Sequence, residues 1–261
     1  MTQVLERIAE RRREDLARVT SRRPPTPSVA PAPLRQDENP FLAALAQRRG
    51  AAIIAEIKRG SPRLGSLIDR FDPVRQAGVY RDHGAAALSV VVEPNSFYGS
   101  YEVLARCREE SGLPTIAKDF VIDELQIAWA AEAGASAVLL LAALLSSEEL
   151  RRYAAIARSL GLAPLVETHA AEDRSKLVGS GWELVGINNR DLRTFAVDLE
   201  HSIRSLPELP AGALRVAESG IRDRADVERL ASAGFDAFLI GESLLLAHDP
   251  AAALGRLAGQ A

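Results

Sequence analysis

Eight short apolar runs follow one another along residues 51–261, each separated from the next by a polar turn and a helical pattern. Val, Ile, Leu and Ala dominate these runs without period-two alternation, which is typical of parallel strands buried on both faces. The predicted strands are residues 52–57, 86–92, 115–117, 137–141, 163–166, 184–187, 215–217 and 237–240. Eight strand and helix alternations in about 210 residues predict a single α/β domain, a (β/α)8 TIM barrel.

Residues 1–50 have a different pattern and form a predicted N-terminal helical extension. Apolar positions among many Arg and Glu predict a helix over residues 4–19, and a second, shorter helix is predicted over residues 39–48. Five prolines within residues 24–33 predict an extended, exposed connector between the two. We expect both helices to fold over the barrel mouth and residues 11–13, all Arg, to form a solvated face.

Glycines punctuate the repeating units. Six of them precede strands by a few residues, where a helix C-terminus adopts a left-handed backbone that glycine tolerates best. They are Gly84, Gly112, Gly134, Gly161, Gly181 and Gly234. An open doubly wound sheet is the alternative fold, but the first strand is not followed by a GxGxxG turn, which disfavours a dinucleotide-binding version.

Composition and charge disfavour two classes of binding partner. With 47% hydrophobic residues, 26% charged residues and a net charge of −3, the chain has an ordinary globular composition without a basic stripe. We therefore expect neither a nucleic-acid nor a membrane partner. The single Cys107 cannot form an internal disulfide, and no signal-peptide pattern begins the chain, so a cytoplasmic location is expected. The oligomeric state stays open, with a monomer slightly favoured.

Functional groups follow almost every predicted strand. Active sites of (β/α)8 barrels lie at the carboxyl ends of the strands, so these groups are expected to share one mouth. They are Glu56, Lys58, Glu93, Lys118, Asp119, Glu167, Asn188, Arg190, Glu218, Ser219, Gly220, Gly241, Glu242 and Ser243. The chain has only three lysines, and Lys58 and Lys118 both lie at strand ends, where a titratable ammonium can donate a proton that Arg retains.

The proposed acid–base groups leave two questions open. Glu56 and Lys58 are two residues apart and share one side of the strand, so they form either a catalytic pair or a satisfied ion pair. Lys118 and Glu167 can act as acid and base on two faces of a substrate. A neighbouring carboxylate raises the pKa of a lysine whereas burial lowers it, and the sequence does not decide between them.

The last two strands end in small residues. Ser219–Gly220 and Gly241–Ser243 allow main-chain amides at a helix start to approach an anion, and barrels often bind phosphate after strands seven and eight. We therefore expect a phosphorylated small-molecule substrate. The four histidines are scattered and no metal-ligand spacing occurs, so no metal is expected. His169 is expected to be a surface or supporting group.

Several ungapped motifs resemble those of one enzyme family. They are residues 54–62 (IAEIKRGSP), 97–100 (FYGS), 118–120 (KDF), 186–192 (GINNRDL) and 217–221 (AESGI). In this order on these strands they resemble indole-3-glycerol phosphate synthase of tryptophan biosynthesis, over residues 4–257. The resemblance implies ring closure of 1-(2-carboxyphenylamino)-1-deoxyribulose 5-phosphate to indole-3-glycerol phosphate, with loss of carbon dioxide and water and without a cofactor.

The resemblance also implies catalytic roles. Lys118 corresponds to the general acid on the substrate carbonyl, and Glu167 corresponds to the general base of the later dehydration. Lys58 corresponds to a lysine that holds the anthranilate carboxylate and is a second candidate proton donor. Glu56 is expected to orient Lys118, and Asn188 to bind the hydroxyl region of the substrate.

Further residues are expected to bind the substrate. Phe97 and Phe120 correspond to aromatic groups packed against the anthranilate ring. The remaining expected contacts are Leu139, Arg190, Glu218 and Ser219 with the substrate or intermediate, and Ser61, Gly220, Gly241 and the main chain of Glu242 with the phosphate. Two positions depart from the family pattern, since Val92 stands where many members have Thr and Arg63 where many have Ser.

Three alternative functions differ in what they require. Phosphoribosylanthranilate isomerase chemistry would centre on a Cys and an Asp at strand ends, but Cys107 lies within a helical pattern. A paralogue with the same reaction in a specialised indole pathway would retain all the groups above. A catalytically silent scaffold that binds a partner would tolerate the loss of Lys58, Lys118 and Glu167, which are all present.

Overall fold

Eight parallel strands close into a barrel, as predicted. The computed structural model describes residues 3–19, 23–28, 31–62, 65–68, 70–179, 181–191 and 194–260. The barrel strands are β1 (Ala52–Ile57), β2 (Ala87–Val91), β3 (Thr115–Lys118), β4 (Ala137–Leu141), β5 (Ala163–Thr168), β6 (Leu184–Asn188), β7 (Leu214–Glu218) and β8 (Ala237–Ile240). Each strand pairs with its sequence neighbours, and β8 pairs with β1 to close the barrel. The predicted (β/α)8 fold is therefore confirmed.

Helices surround the barrel and close its ends. They are α1 (Gln3–Ala17), α2 (Pro40–Gln47), α3 (Pro73–Asp82), α4 (Tyr101–Ser111), α5 (Glu124–Glu132), α6 (Ser147–Ser159), α7 (Ala171–Ser175), α8 (Leu199–Ser205), α9 (Arg224–Ala233), α10 (Glu242–Leu245) and α11 (Pro250–Leu257). Capping boxes begin α5 and α6, because the side chains of Asp123 and Ser146 accept hydrogen bonds from helix amides. None of the described helices is long and apolar enough to cross a membrane.

The predicted helix-ending glycines behave alike, with one exception. Gly84, Gly112, Gly134, Gly161 and Gly234 have φ between 66° and 115°. Gly181 was predicted with them, but the residue with a positive φ there is Gly179. Gly181 is needed for a different reason, since a Cβ atom at this position would lie 2.7 Å from Cγ of Pro33.

Interior side chains come in layers from alternate strands, as in other (β/α)8 barrels. The odd strands contribute a buried apolar layer of Ile54, Ile116, Leu165 and Val216. Two residues further along the same strands, they contribute the polar layer of Glu56, Lys118, Glu167 and Glu218. The step of two residues keeps both layers inside the barrel, so the apolar core supports the polar layer directly from below.

The second N-terminal helix closes the base of the barrel, not its mouth. Phe41, Leu42 and Leu45 of α2 are fully buried against the amino-terminal ends of the strands. Asn39 caps α2 and also donates hydrogen bonds to the carbonyl oxygens of Ser136 and Gly161, which precede β4 and β5. The prediction that both helices cover the mouth is therefore wrong for α2, whose apolar face suits the open bottom of the barrel.

The first helix covers the mouth and is anchored there by a buried ion pair. Arg12 Nη2 lies 2.5 Å from Oδ2 of Asp119, and both side chains are almost completely buried. The predicted solvated face at residues 11–13 is therefore wrong at Arg12, while Arg11 and Arg13 are exposed. Along the connector, Arg23 pairs with Asp123, and the amide of Leu34 donates to Glu183.

The loop after β1 contains an element that the sequence pattern did not indicate. Gly60–Ser61 pairs with Gly65–Ser66 as a short antiparallel hairpin beside the mouth. The departure noted at Arg63 lies outside the described residues, and Val92 is buried in the outer core.

Candidate active site

One cavity of about 840 Å³ occupies the carboxyl-terminal mouth of the barrel. It is lined by every residue that was predicted to act in catalysis or to bind the substrate, except Glu218. These residues are Glu56, Lys58, Ser61, Phe97, Lys118, Phe120, Leu139, Glu167, Asn188, Arg190, Ser219, Gly220, Gly241 and Glu242. Val4, Leu5 and Ile8 of α1 add an apolar wall that sequence reasoning did not assign, although their spacing along the helix was the available signal.

Lys118 lies at the centre of three carboxylates. Its Nζ is 3.1 Å from Oε2 of Glu218, 3.7 Å from Oε2 of Glu56 and 3.8 Å from Oε2 of Glu167. Burial lowers the pKa of Lys118, but the three carboxylates outweigh burial and raise it above its ordinary value. Neighbouring charge therefore decides the question that the sequence left open, and Lys118 is a protonated donor at neutral pH.

Glu218 lies beneath Lys118 and does not reach the cavity. Its side chain is completely buried, so the predicted direct contact with the substrate is not what the structure shows. Gly186 makes room for it, since a Cβ atom there would lie 2.2 Å from Oε1 of Glu218. Burial raises the pKa of Glu218 to about 8, against the opposing effect of Lys118 and with a further rise from Glu167.

We expect Glu218→Gln to flatten the pH dependence of stability. With its pKa raised from 4.5 to about 8, Glu218 holds a proton in the folded state that the unfolded chain releases. The free energy of unfolding therefore falls as pH rises through this window, by about 1–4 kcal/mol. The neutral amide removes that slope. Urea unfolding at pH 5.5 and pH 8 measures the change in the free energy of unfolding between the two pH values. Glu228→Gln, at an exposed glutamate, is the control. An unchanged slope in Glu218→Gln would show that Glu218 is ionised throughout.

Glu56 links the two lysines at the cavity floor. Its Oε1 lies 2.7 Å from Nζ of Lys58, while Oε2 faces Lys118. Burial raises the pKa of Glu56, but Lys58 and Lys118 outweigh burial and lower it below its ordinary value. Gly241 is required beside it, because a Cβ atom there would lie 2.2 Å from Oε1 of Glu56. The two readings of the Glu56–Lys58 pair are thus compatible, since an ion pair at the cavity wall also holds Lys58 in place.

Glu167 and Asn188 form a second polar pair. Asn188 Nδ2 donates a hydrogen bond of 2.8 Å to Oε1 of Glu167. Asn188 Oδ1 accepts from the amide of Arg190, which fixes the orientation of the side-chain amide. Oε2 of Glu167 faces Lys118, so the carboxylate is held between an amide donor and the central ammonium.

Two strand-end carboxylates support loops and do not act as free groups in the mouth. Glu93 is fully buried and accepts hydrogen bonds from the amides of Asn95, Ser96 and Phe97. This arrangement places Phe97, whose ring centroid is 5.9 Å from that of Phe120. Asp119 accepts from Arg12, Tyr101 and Gln126, and its main chain connects Lys118 to Phe120. The Glu93 and Asp119 carboxylates therefore hold the loops that carry the two aromatic rings.

The far end of the cavity is formed by the loops after β7 and β8. Ser219 and Gly220 both have a left-handed backbone, with φ of 67° and 80°. Ser243 Oγ donates to the carbonyl oxygen of Ile221 and joins the two loops, and α10 begins immediately after Gly241.

Arginine side chains also lie at this end of the cavity. Arg190 pairs with the Glu242 carboxylate at 3.1 Å. Arg222 and Arg229 also line this end and were not assigned from the sequence, because neither directly follows a strand.

The single cysteine, the third lysine and His169 lie outside the cavity. Cys107 is buried in α4 within the outer core. Lys176 donates to the carbonyl oxygens of Ala142 and Leu145 in the loop after β4. His169 lies behind Asn188. Among the described residues, no group of three His, Cys, Asp or Glu side chains is arranged to hold a metal ion.

Comparison with known sequences gives one family. The family model described as indole-3-glycerol phosphate synthase matches residues 5–257. The chain is 42% identical to the indole-3-glycerol phosphate synthase of Albidiferax ferrireducens over 98% of each chain. It is 44% identical to that of Koribacter versatilis over 80% of this chain and 81% of the relative. It is also 46% identical to that of Carboxydothermus hydrogenoformans over 77% of each chain.

Comparison with solved structures supports the fold alone. A thiamine phosphate pyrophosphorylase from Pyrococcus furiosus superposes with a TM-score of 0.60 at 15% identity, over 82% of this chain and 96% of that one. A 3-hexulose-6-phosphate synthase from Salmonella typhimurium gives 0.63 at 14% identity, over 80% and 97%. At this level of identity the shared feature is the barrel, and chemistry must be argued from the site.

Proposed function

The chain belongs to the indole-3-glycerol phosphate synthase family, and from this premise we propose that its barrel catalyses the family reaction. The substrate is 1-(2-carboxyphenylamino)-1-deoxyribulose 5-phosphate, and the products are indole-3-glycerol phosphate, carbon dioxide and water. The chain is then a carbon–carbon lyase of tryptophan biosynthesis. Residues 51–261 form the catalytic domain in this proposal, and residues 1–50 form an extension that closes both ends of the barrel.

The observation that carries the proposal is a buried ammonium group among three glutamate side chains at the floor of a two-ended cavity. Phe97 and Phe120 lie near one side of this floor and suit the anthranilate ring. Gly220 and Gly241, at the far end, suit the phosphate. A substrate with an aromatic acid at one end and a phosphate at the other matches these two ends.

We assign the first chemical step to Lys118. Its ammonium donates a proton to the ketone oxygen, which makes the ketone carbon electrophilic towards the ring carbon that bears the carboxylate. The new carbon–carbon bond closes the five-membered ring and converts the ketone to a hydroxyl group. Loss of carbon dioxide from the same ring carbon then restores aromaticity. Lys58 holds the substrate carboxylate before this loss, because its ammonium lies at the cavity wall beside Glu56.

We assign the dehydration to Glu167. Its carboxylate removes a proton from the carbon between the ring nitrogen and the hydroxyl-bearing carbon. The hydroxyl group leaves as water with a proton from a lysine, and the resulting double bond completes the indole. Asn188 holds Glu167 by a hydrogen bond of 2.8 Å and faces the same cavity, where it binds the hydroxyl region of the substrate. Glu218 acts through Lys118, which it contacts at 3.1 Å.

The three competing functions differ in the side chains that they require in the mouth. An isomerase reaction based on a cysteine needs a thiol in the mouth, but Cys107 is buried between α4 and the outside of the barrel. A silent scaffold does not need Lys58, Lys118 and Glu167 to line one cavity, as they do. A specialised indole pathway would use the same groups and the same reaction, so it differs in metabolic context and not in mechanism.

The direct test is to supply the purified protein with 1-(2-carboxyphenylamino)-1-deoxyribulose 5-phosphate. We expect indole absorbance and fluorescence to appear together with one equivalent of carbon dioxide per product. Phosphoribosylanthranilate, the substrate of the isomerase alternative, is the negative control and is expected to remain unchanged. Failure of the folded protein to form any indole product would contradict the proposed function.

We further propose that the enzyme works in the cytoplasm as a monomer. The proposed substrate is a phosphorylated biosynthetic intermediate, and such compounds are handled where biosynthesis takes place. All groups to which we assign chemistry come from a single chain, so the cavity needs no residue from a second copy. Light scattering of the purified protein measures the oligomeric state, and a mass near 28.1 kDa is expected.

A further inference from the structure

His169 makes a hydrogen bond to the main chain of Asn188 from outside the cavity. Its Nδ1 lies 2.7 Å from the main-chain oxygen of Asn188. A carbonyl oxygen only accepts, so Nδ1 carries the hydrogen. The imidazole thus connects the residue after the end of β5 to the last residue of β6, outside the cavity that binds the substrate.

The hydrogen bond from His169 to Asn188 lies where β5 and β6 stop exchanging main-chain hydrogen bonds. Thr168 is the last residue of β5, and its hydroxyl donates to the carbonyl oxygen of Gly186. The next two amides of the chain, of His169 and Ala170, both donate to Oδ2 of Asp173 at the start of α7. The Asn188 carbonyl therefore receives a side-chain donor where the continuing ladder would supply an amide.

His169 is itself held in place by its own carbonyl oxygen. This oxygen accepts 2.6 Å from Nη1 of Arg174 and 2.8 Å from Nε2 of His201. Arg174 is in turn paired with Glu208, and the His169 and His201 rings lie 4.5 Å apart. The main chain of His169 is thus anchored to α7 and α8, while its ring is hydrogen-bonded to β6.

We propose that His169 is a positioning residue that fixes the main chain of Asn188 and thereby holds the Asn188 amide against Glu167. The inference rests on the proposed function, because it assumes that Glu167 is the dehydration base. A displacement of the base by about 1 Å costs on the order of 10²-fold in rate. Removing the imidazole donor is therefore expected to lower kcat without removing any group that contacts the substrate.

The role requires a donor at Nδ1 and not a titrating group. Nδ1 bears a hydrogen both in the neutral tautomer that this hydrogen bond requires and in the protonated ring. A positioning role therefore leaves the apparent pKa values of the rate profile unchanged when His169 is replaced. An acid–base role for His169 would instead remove one limb of the profile.

Three substitutions separate these possibilities. In His169→Asn the amide nitrogen takes the place of Nδ1, in His169→Gln it lies one bond further out, and His169→Leu has no donor. We expect kcat to fall about 10–100-fold in His169→Leu and by a smaller factor in His169→Gln, and to stay within about 3-fold of wild type in His169→Asn. KM is expected to change less than kcat in all three, and the shape of the pH profile is expected to stay the same.

His83 provides the matched control. Its Nδ1 also lies 2.8 Å from a main-chain oxygen, that of Val79, but in α3 and away from the mouth. His83→Leu is therefore expected to leave kcat unchanged. Circular dichroism and thermal melting check that each variant folds. If His169→Leu does not fold, the comparison of kcat between His169→Asn and His169→Gln decides the outcome.

Some results would overturn the inference. Three results would do so: a folded His169→Leu variant with wild-type kcat, a kcat of His169→Asn no higher than that of His169→Gln, or the loss of one limb of the pH profile. Wild-type protein assayed in parallel keeps this outcome separate from the proposed function. If wild type forms indole and the His169 variants do so equally well, only the positioning role fails. If wild type forms none, the proposed function fails first.

Discussion

Lys118→Met is expected to lower kcat by about 10³-fold, because it removes the proposed proton donor to the ketone. The neighbouring glutamates raise the pKa of Lys118, so the wild-type side chain is protonated across the working pH range. Methionine has nearly the same length and no proton to give. The rate is measured as the appearance of indole fluorescence under saturating substrate, and the amount of folded protein is checked by circular dichroism.

Two further variants control for the loss of charge at position 118. Lys118→Arg keeps a cation beside the glutamates, but a guanidinium does not release its proton. This variant is therefore also expected to lose most of the activity. Lys176→Met removes the third lysine, which bonds to carbonyl oxygens outside the cavity, and kcat is expected to persist. A Lys118→Met enzyme that turns over at the wild-type rate would exclude Lys118 as the acid.

Glu167→Gln is expected to lower indole formation by about 10²- to 10³-fold while the earlier decarboxylation continues. Glutamine keeps an oxygen that accepts the hydrogen bond from Asn188, so the local geometry is retained and only the base is lost. Dehydration follows decarboxylation in the proposed sequence. A single turnover should therefore release up to one equivalent of carbon dioxide per site and much less indole.

The comparison of the two products makes the test of Glu167 specific. Glu228→Gln, at an exposed glutamate paired with Arg224, is the control and is expected to give equal amounts of both products. If Glu167→Gln slowed carbon dioxide and indole equally, Glu167 would be needed before the dehydration. The order of roles proposed for Glu167 and Lys118 would then have to change.

The barrel was predictable because its signals are local. Parallel strands covered on both faces require continuous apolar runs, and the runs at residues 52–57, 137–141 and 237–240 coincide with β1, β4 and β8. The cavity residues followed from one rule, namely that barrel chemistry lies at the carboxyl ends of strands. Lys58, Lys118 and Glu167 were found in this way.

The parts that were missed depend on contacts between distant segments. An apolar stripe on a short helix indicates burial but not against which surface, so α2 was assigned to the wrong end of the barrel. The partner of Arg12 is Asp119, more than a hundred residues away in the chain. Glu218 follows a strand as Ser219 does, yet only the three-dimensional layer shows that its carboxylate lies under Lys118 and not in the cavity.

The position of α2 at the base has a consequence for the order of folding. Its buried face belongs to one apolar cluster with residues of the first strand and with Leu214 and Ala237 of the last two. The docking surface of α2 is therefore complete only when β8 has paired with β1, although α2 precedes the whole barrel in the chain. Such contacts close long loops and form late. We therefore expect α2, which precedes the barrel in the chain, to dock on its base only after the barrel has closed.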